Sequence, residues 1–289
     1  IITLPLDNPQ AARVRKRSAS ESVPEQEFSR PQAVSWPTPG GTTVHGLFYP
    51  PSSTRFQGIG LPPAIVSIHG GPTSQAVASF HPATQFFTTR GYAVLQVNYR
   101  GSTGYGRDYT EALRGTWGVY DIEDAISGAG HLVEQGWVDG GKLVIMGGSA
   151  GGYTVLQALV NHVGFFRAGI SMYGISDLFA LVATTHKFEA HYLDQLIGPL
   201  PQAAGLYRER SPLFAAEAIR DPVAVFQGEI DQVVPKAQAD AIVASLVSRS
   251  VPHVYHVYAG EGHGWRKTET IAHFYGAVDA FLRQYVLFT

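Results

Sequence analysis

Apolar residues along the chain follow two periods, which predict strands alternating with helices. Short apolar runs rich in Val and Ile, typical of buried strands, occur at residues 64–71, 92–101, 142–148, 168–174, 223–231 and 254–260. Apolar residues three or four positions apart, typical of amphipathic helices, occur at residues 79–91, 121–136, 153–162, 236–250 and 269–286. This alternation predicts an α/β fold with a mainly parallel sheet covered by helices on both faces.

The N-terminal residues differ from the rest of the chain. Residues 1–32 hold a basic cluster, RVRKRS, followed by a polar stretch, and we interpret them as a solvated linker or hinge with one short strand near residues 1–6. Farther on, AVSW (33–36) and TVHGLFYP (43–50) flank the turn signal PTPGGT and predict a β-hairpin. We therefore assign residues 33–289 to one α/β domain.

Composition excludes several classes of function. The formal net charge of the 289-residue chain is −2, so no strong basic field points to nucleic acid. The chain has no cysteine, which excludes disulfides, thiolate catalysis and thiolate metal sites and suits a reducing compartment. No apolar run reaches the roughly 18 residues of a membrane span. We expect a cytoplasmic protein with no membrane partner, and its start at Ile1 leaves open that an upstream segment was removed.

The stretch VIMGGSAGGYTV (144–155) places one serine among glycines, a pattern found in several kinds of loop. A dinucleotide-binding fingerprint fails because Ser149 and Ala150 stand where its second glycine would fall. A phosphate-binding loop at residues 136–143 fails because Leu143 replaces the required Ser or Thr, and because a strand follows this loop instead of preceding it. Neither nucleotide motif explains these glycines.

The pattern G-x-S-x-G, formed by residues 147–151, fits its context, with a predicted strand before it and a predicted helix after it. In this motif the serine lies on a tight, strained turn, and its neighbours two positions away must be small. The backbone N–H of Ala150 is then free, at a helix N-terminus, to donate to a developing oxyanion. Ser149 is the candidate nucleophile, and the motif requires an acid and a histidine later in the chain.

Both partners follow in the required order. Asp231 ends the predicted strand 223–231, and His263 lies just beyond the next strand. Because the site of an open parallel sheet forms at the carboxyl ends of its strands, the two residues are expected at one edge. Asp231 would orient the imidazole, and His263 would take the serine proton and pass it to the leaving group.

Other residues could fill these two roles. Glu229 lies two positions before Asp231 and is an alternative acid, although Asp231 falls farther into the loop. Among the histidines, His253 and His256 lie within a predicted strand, whereas glycines flank His263 on both sides. We therefore favour Asp231 and His263.

The segment IHGGP (68–72) follows an early strand, where a second oxyanion donor is expected. Its glycines would expose backbone N–H groups, although a plain strand-ending turn gives the same pattern. His69 is interpreted as a structural hydrogen-bonding residue because His263 already supplies the base.

Six motifs in order carry a resemblance to a known family: HGGP (69–72), NYRGSTGYGRDY (98–109), GGSAGGY (147–153), YRERSP (207–212), FQGEIDQVVP (226–235) and GEGHGW (260–265). Together they resemble the catalytic domain of the prolyl oligopeptidase family of serine peptidases, in its acylaminoacyl-peptidase and dipeptidyl-aminopeptidase branch. The resemblance covers about residues 33–289. It implies an α/β-hydrolase fold with a mainly parallel sheet of the eight-stranded type.

The resemblance also implies roles for individual residues. Ser149, Asp231 and His263 would form the catalytic triad, without cofactor or metal. Ala150 and, in the HGGP segment, Gly71 would donate to the oxyanion. A backbone donor there points to the acylaminoacyl branch, because the prolyl-peptidase branch uses a tyrosine hydroxyl.

The resemblance implies a substrate pocket and a missing partner domain as well. The loop after SMYG (171–174), with Ile175, and the region around Phe188 would line the specificity pocket. Members of the family usually carry an N-terminal β-propeller over the site, and residues 1–32 would be only its last strand and hinge. The expected partners are a short peptide substrate, a propeller upstream or on another chain, and a further copy of the chain. The alternative is that this form works without a propeller.

Three functions are compatible with these motifs. The first is a serine peptidase that acts on short peptides through an acyl-enzyme. The second is a carboxylesterase or lipase-like hydrolase with the same triad, since acyl transfer to water suits esters and amides alike. The third is a non-enzymatic binding module on the same fold, which an intact triad disfavours.

Overall fold

An eight-stranded sheet forms the centre of the protein, in a computed structural model that describes residues 1–16, 24–184 and 191–288. Its strands are β3 (Gln32–Pro37), β4 (Thr43–Tyr49), β5 (Ala64–Ile68), β6 (Ala93–Asn98), β7 (Leu143–Gly148), β8 (Ala168–Met172), β9 (Val223–Gly228) and β10 (His253–Tyr258). They lie in the order β10-β9-β8-β7-β5-β6-β4-β3. All pairs from β10 to β6 are parallel, which confirms the predicted mainly parallel sheet.

The antiparallel part of this sheet lies at one edge. β3 pairs with β4, and the turn between them is the predicted hairpin. β4 then pairs antiparallel with β6. Before the sheet, β1 (Ile2–Thr3) and β2 (Arg13–Val14) form a small exposed ladder. The short strand expected near residues 1–6 is confirmed as β1, while the division into a linker and a domain stays a prediction.

Helices join and cover the strands. They are α1 (Pro82–Thr88), α2 (Arg107–Glu111), α3 (Tyr120–Glu134), α4 (Ala150–Asn161), α5 (Leu178–Thr184), α6 (Tyr192–Leu196), α7 (Ala204–Glu209), α8 (Lys236–Ser248) and α9 (Thr268–Leu282). α1 is shorter than the predicted segment 79–91, because Pro82 stands at its first position, where proline favours helix initiation. In the part of the chain that the structure describes, no helix combines the length and apolar character needed to cross a membrane.

Two hydrophobic cores lie on opposite faces of the sheet. Successive strand residues point to opposite faces, so that Ile65 joins one core and Val66 the other. The core that contains Val66 is built with α3, α4 and α8, and the core that contains Ile65 is built with α1 and α9. This layering confirms the prediction of helices on both faces.

The carboxyl ends of the parallel strands meet at one edge of the sheet. The register pairs Gly148, the last residue of β7, with Met172 of β8, and Gly228, the last residue of β9, with Tyr258 of β10. The segments that carry the candidate nucleophile, acid and base therefore leave the sheet at the same level, as expected for an open α/β sheet.

Candidate active site

Ser149 lies on the turn between β7 and α4 with φ 57° and ψ −124°. A non-glycine residue rarely adopts such a backbone, and it persists only where the surroundings enforce it. A Cβ on Gly147 would lie 2.5 Å from the carbonyl carbon of Gly151, and a Cβ on Gly151 would collide with the carbonyl oxygen of Ile68. The glycines are therefore required by close packing around the strained serine.

The backbone of the turn is further fixed by hydrogen bonds. Ser149 N–H donates to the carbonyl of Met172 at 3.0 Å, and the carbonyl of Ser149 accepts from Tyr153 N–H at 3.0 Å. Ala150 is the first residue of α4 and is 2% exposed. Across residues 1–16, 24–184 and 191–288, its N–H donates to no carbonyl of another element. Ala150 N–H therefore stays the predicted oxyanion donor.

Asp231 and His263 form a hydrogen-bonded pair. His263 Nδ1 lies 2.8 Å from Asp231 Oδ2, and since a carboxylate only accepts, Nδ1 carries the proton. Asp231 Oδ1 accepts the N–H groups of Val233 and Val234, both at 2.9 Å. The carboxylate is fully buried, while 24% of the His263 side chain is exposed. This arrangement leaves His263 Nε2 as a proton acceptor at the surface of the site.

The alternative acid, Glu229, is exposed and turned to a different partner. Its Oε2 accepts the N–H of Gly260 at 3.0 Å. Among the described residues the structure pairs His263 with Asp231 and gives no hydrogen bond between His263 and Glu229, nor between His263 and Ser149. The nucleophile–base bond of such sites often tightens only when substrate binds.

A buried carboxylate organises the loop that carries His263. Glu261 is 2% exposed, and its Oε1 accepts the N–H of Lys267 at 2.9 Å. The N–H of Arg266 lies 3.1 Å from Oε2, and the carbonyl of Glu261 accepts Ile230 N–H at 3.0 Å. The Lys267 N–H holds the pKa of the Glu261 carboxyl below its usual range. The sequence analysis did not identify this residue, although it lies within the motif GEGHGW.

The HGGP segment lies directly beside Ser149. A Cβ on Gly70 would lie 3.4 Å from the Cβ of Ser149, and Gly71 has φ 126°, which favours glycine. The predicted donor Gly71 is thus on the loop next to the nucleophile, and its role stays a prediction. His69 is held by this loop, because its Nδ1 lies 2.8 Å from the carbonyl of Gly70 and its Nε2 lies 2.8 Å from Ser102 Oγ. Burial lowers the pKa of His69, which favours a neutral, structural imidazole.

Tyr173 and Trp265 are neighbours of the site that sequence analysis missed. The ring of Tyr173 lies 4.6 Å from the ring of His263 and 5.3 Å from that of Trp265, centroid to centroid. A Cβ on Gly148 would lie 2.8 Å from Tyr173 Cε2, so a glycine beside the nucleophile makes room for this ring. Burial, and next the charge of Asp231, raise the pKa of Tyr173, which keeps its hydroxyl neutral. Its position directly after a strand end was the available signal.

The buried carboxylate of Asp121 anchors α4, the helix that follows Ser149. Thr154 of α4 donates its hydroxyl to Asp121 of α3 at 2.5 Å, and Gly118 N–H donates to the same carboxylate at 2.7 Å. Burial raises the pKa of Asp121 to about 6. These bonds fix α4, and with it Ala150, against α3.

The predicted substrate-pocket residues are only partly located. Ile175 is 4% exposed and packs within the core built with α3, α4 and α8, just after β8. Phe188 lies outside the described residues. Both assignments stay predictions.

Comparison with known proteins identifies relatives of this arrangement. The sequence profile of the prolyl oligopeptidase family matches residues 78–288. The chain is 35% identical to dipeptidyl aminopeptidase BIII of Pseudoxanthomonas mexicana over 219 residues, which are 74% of this chain and 32% of that protein. It is 27% identical to the acylamino-acid-releasing enzyme of Arabidopsis thaliana over 207 residues, 69% of this chain and 27% of that protein. The chain thus spans about a third of the length of these relatives.

A solved structure of a puromycin-hydrolyzing peptidase from Mycobacterium tuberculosis aligns with 99% of this chain and 44% of its own, at 39% identity and a TM-score of 0.94. This likeness confirms the α/β-hydrolase fold. The matched profile covers well over half of the residues, so the resemblance carried by the six motifs is also confirmed. The chain belongs to the prolyl oligopeptidase family.

Proposed function

We propose that the chain hydrolyses short peptides through an acyl-enzyme formed on Ser149. The observation that carries this proposal is the 2.8 Å bond between His263 and Asp231, at the sheet edge where the strained Ser149 turn also lies. Strain at a single non-glycine residue and an ordered acid–histidine pair are the two features a serine nucleophile needs.

Each residue of the site has a defined role in this reaction, and His263 acts first as base and then as acid. His263 Nε2 takes the hydroxyl proton as Ser149 Oγ attacks the carbonyl carbon, and Asp231 stabilises the resulting imidazolium. The N–H groups of Ala150 and Gly71 donate to the oxyanion. The C–N bond then breaks, His263 gives its proton to the departing amine, and water releases the acyl group by the same steps.

The names of the relatives favour peptides over esters as substrates, because a dipeptidyl aminopeptidase, an acylamino-acid-releasing enzyme and a puromycin-hydrolyzing peptidase are among them.

The greater length of those relatives supports a propeller domain that acts together with this one. We propose the propeller as the first partner and a further copy of the chain as the second. A cysteine-free chain suits the cytoplasm, which we propose as its location.

An acyl-amino-acid anilide and a simple fatty ester distinguish the peptidase from the carboxylesterase. The wild type should cleave the anilide, and Ser149→Ala should lower kcat by roughly 10⁴-fold or more, because the nucleophile is lost. Ser248→Ala removes an exposed serine hydroxyl from the end of α8 and should leave the rate unchanged. Cleavage of the ester alone would favour the carboxylesterase, and anilide cleavage that survives Ser149→Ala would reject the mechanism.

A further inference from the structure

The position of the base defines where the leaving group must lie. His263 hands its proton to the departing amine, so the residue that follows the cleaved bond has to sit beside His263. The ring of Tyr173 packs against His263, and the ring of Trp265 packs in turn against Tyr173. This argument rests on the proposed function.

A cavity of about 620 Å³ opens next to these two rings. Tyr173 and Trp265 form part of its wall, and Gly147 and His69 connect it to the nucleophile turn and the HGGP loop. Val77 and Ile271, which are 53% and 37% exposed, lie at its solvent side. The cavity therefore extends from the nucleophile turn to the solvent, and Tyr173, which contacts His263, forms the part of its wall nearest the base.

The lining is apolar with a few polar groups, which is the usual character of a site for an organic ligand. Phe87 and Phe274, both buried, supply aromatic surface at its floor. Ser67 and Gln96 are register partners on β5 and β6, and Gln96 Nε2 donates to Thr84 Oγ1 at 2.9 Å. The described lining contains His69 and His81 but no carboxylate, lysine or arginine, which disfavours a charged side chain.

The chain has only two methionines, and both line this cavity. Met146 lies on β7 and Met172 on β8. Unbranched thioether side chains adapt their shape to different apolar ligands and make favourable contacts with aromatic rings. Their placement suits a pocket that accepts more than one apolar side chain.

The cavity also lies on the opposite face of the sheet from the predicted specificity residue. Ile175 belongs to the core with α3, α4 and α8, whereas Met146, Phe87 and Phe274 belong to the core with α1 and α9. The two sides of a cleaved bond would thus be held on the two faces of the sheet.

We propose that this cavity binds the residue on the leaving-group side of the cleaved bond and that it selects an apolar or aromatic side chain. The amine released by cleavage departs from it. In the reverse direction an added amine enters it, gives a proton to His263 and attacks the acyl carbon, so that a C–N bond forms, the ester bond to Ser149 Oγ breaks and His263 returns the proton to Oγ. The occupant of the cavity is the substrate residue immediately after the bond, in contact with Tyr173 and Trp265.

Transfer of the acyl group from Ser149 to an added amine tests the cavity directly. Because different amines compete for the same acyl-enzyme, the comparison between them does not depend on the specificity for the acyl group. The p-nitrophenyl ester of an N-acetyl amino acid acylates Ser149 and releases nitrophenolate, and phenylalanine amide or glycine amide then competes with water for the acyl group. The wild type should transfer the acyl group to phenylalanine amide about tenfold better than to glycine amide, since burial of a large apolar side chain is favourable by at least that factor. Equal transfer to both amines would overturn the pocket.

A variant that fills the cavity gives the matched comparison. Ala83 is half-buried on α1 and lines the cavity, and Ala83→Leu should abolish the preference for phenylalanine amide over glycine amide. Ala241, half-buried on α8 and outside the lining, is the control, and Ala241→Leu should keep the preference. A preference that survives Ala83→Leu would overturn the proposal.

A binding measurement on the wild type does not depend on how the variants fold. With methyl-¹³C methionine, the methyl signals of Met146 and Met172 report on the cavity wall. Phenylalanine amide should shift both signals saturably, and glycine amide should shift neither. Unchanged signals would overturn the pocket alone, whereas nitrophenolate release that does not require Ser149 would overturn the proposed function and the pocket with it.

Discussion

The turn that carries Ser149 and the loop that carries His263 are both rich in glycine, but they are held by different forces. At the turn a Cβ on Gly147 or Gly151 would meet backbone atoms of neighbouring elements at impossible distances. At the loop a Cβ on Gly262 or Gly264 would meet nothing within 4 Å. The nucleophile turn is therefore held by close backbone packing in addition to its hydrogen bonds, whereas the glycines beside the base leave open space and His263 depends more on its hydrogen bonds.

The hydrogen bonds of the histidine loop converge on two buried carboxylates. Asp231 binds His263 and two backbone N–H groups, and Glu261 binds two more. Charge-assisted bonds of this kind add to the packing of the loop against Gly228 of β9 and against the ring of Tyr173. The comparison predicts that the turn will tolerate no added atoms at Gly147 or Gly151, while the loop will tolerate a methyl group at Gly262 but not the loss of charge at Asp231 or Glu261.

The largest expected effect is at Asp231. Asp231→Asn keeps one oxygen acceptor but removes the charge that stabilises the imidazolium and selects the His263 tautomer. We expect kcat/KM for an anilide to fall by about 10⁴-fold, the scale of the same change in another triad. Asp240→Asn, on the surface of α8 beside Lys236, should change kcat/KM less than about twofold. A decrease of less than tenfold in kcat/KM of Asp231→Asn would reject Asp231 as the acid of the triad.

Two glycine substitutions test the comparison in terms of stability. Gly151→Ala should lower the free energy of unfolding by about 3 kcal/mol, because its Cβ collides with the Ile68 carbonyl and the turn has to move. Gly262→Ala adds the same methyl group in open space and should change the free energy of unfolding by less than about 0.5 kcal/mol. Urea unfolding measures both values. Equal decreases in the free energy of unfolding for Gly151→Ala and Gly262→Ala would contradict the conclusion that the turn is closely packed and the loop is open at Gly262.

The smallest expected effect is at Glu261, a positioning residue. Glu261→Gln weakens the bonds to Arg266 and Lys267 and should lower kcat about tenfold at neutral pH with little change in KM, because His263 moves out of alignment. Glu229 is the matched control, because its exposed carboxylate accepts the Gly260 N–H in the same region. Glu229→Gln should change kcat and KM little.

The pH dependence of the free energy of unfolding separates the contribution of the Glu261 charge from that of its side-chain shape. Since the folded-state pKa lies below the ordinary value of 4.5, ionised Glu261 stabilises the fold above that pH and loses this contribution as the pH falls through its lowered pKa. The difference in free energy of unfolding between wild type and Glu261→Gln should be constant near neutral pH and shrink in acid. A difference independent of pH would indicate a purely steric role.

Much of the fold and part of the site follow from the sequence because they depend on local patterns. The apolar runs determine the parallel strands, and G-x-S-x-G determines the strained turn at Ser149. The hydrogen bonds of Glu261 and the contact of Tyr173 with His263 depend on how two loops fold against each other, which no spacing encodes. The cavity beside Trp265 arises from strands and helices distant in sequence, so no motif reports it.

The central claim, that Ser149 is the activated nucleophile, is tested most directly by covalent labelling. A fluorophosphonate probe should form a single adduct, and mass spectrometry of the peptides should locate it on Ser149. In His263→Gln the labelling rate should fall by about 10³-fold or more, because the base is lost. An adduct on another residue, or labelling of Ser149 that is equally fast without His263, would contradict the account.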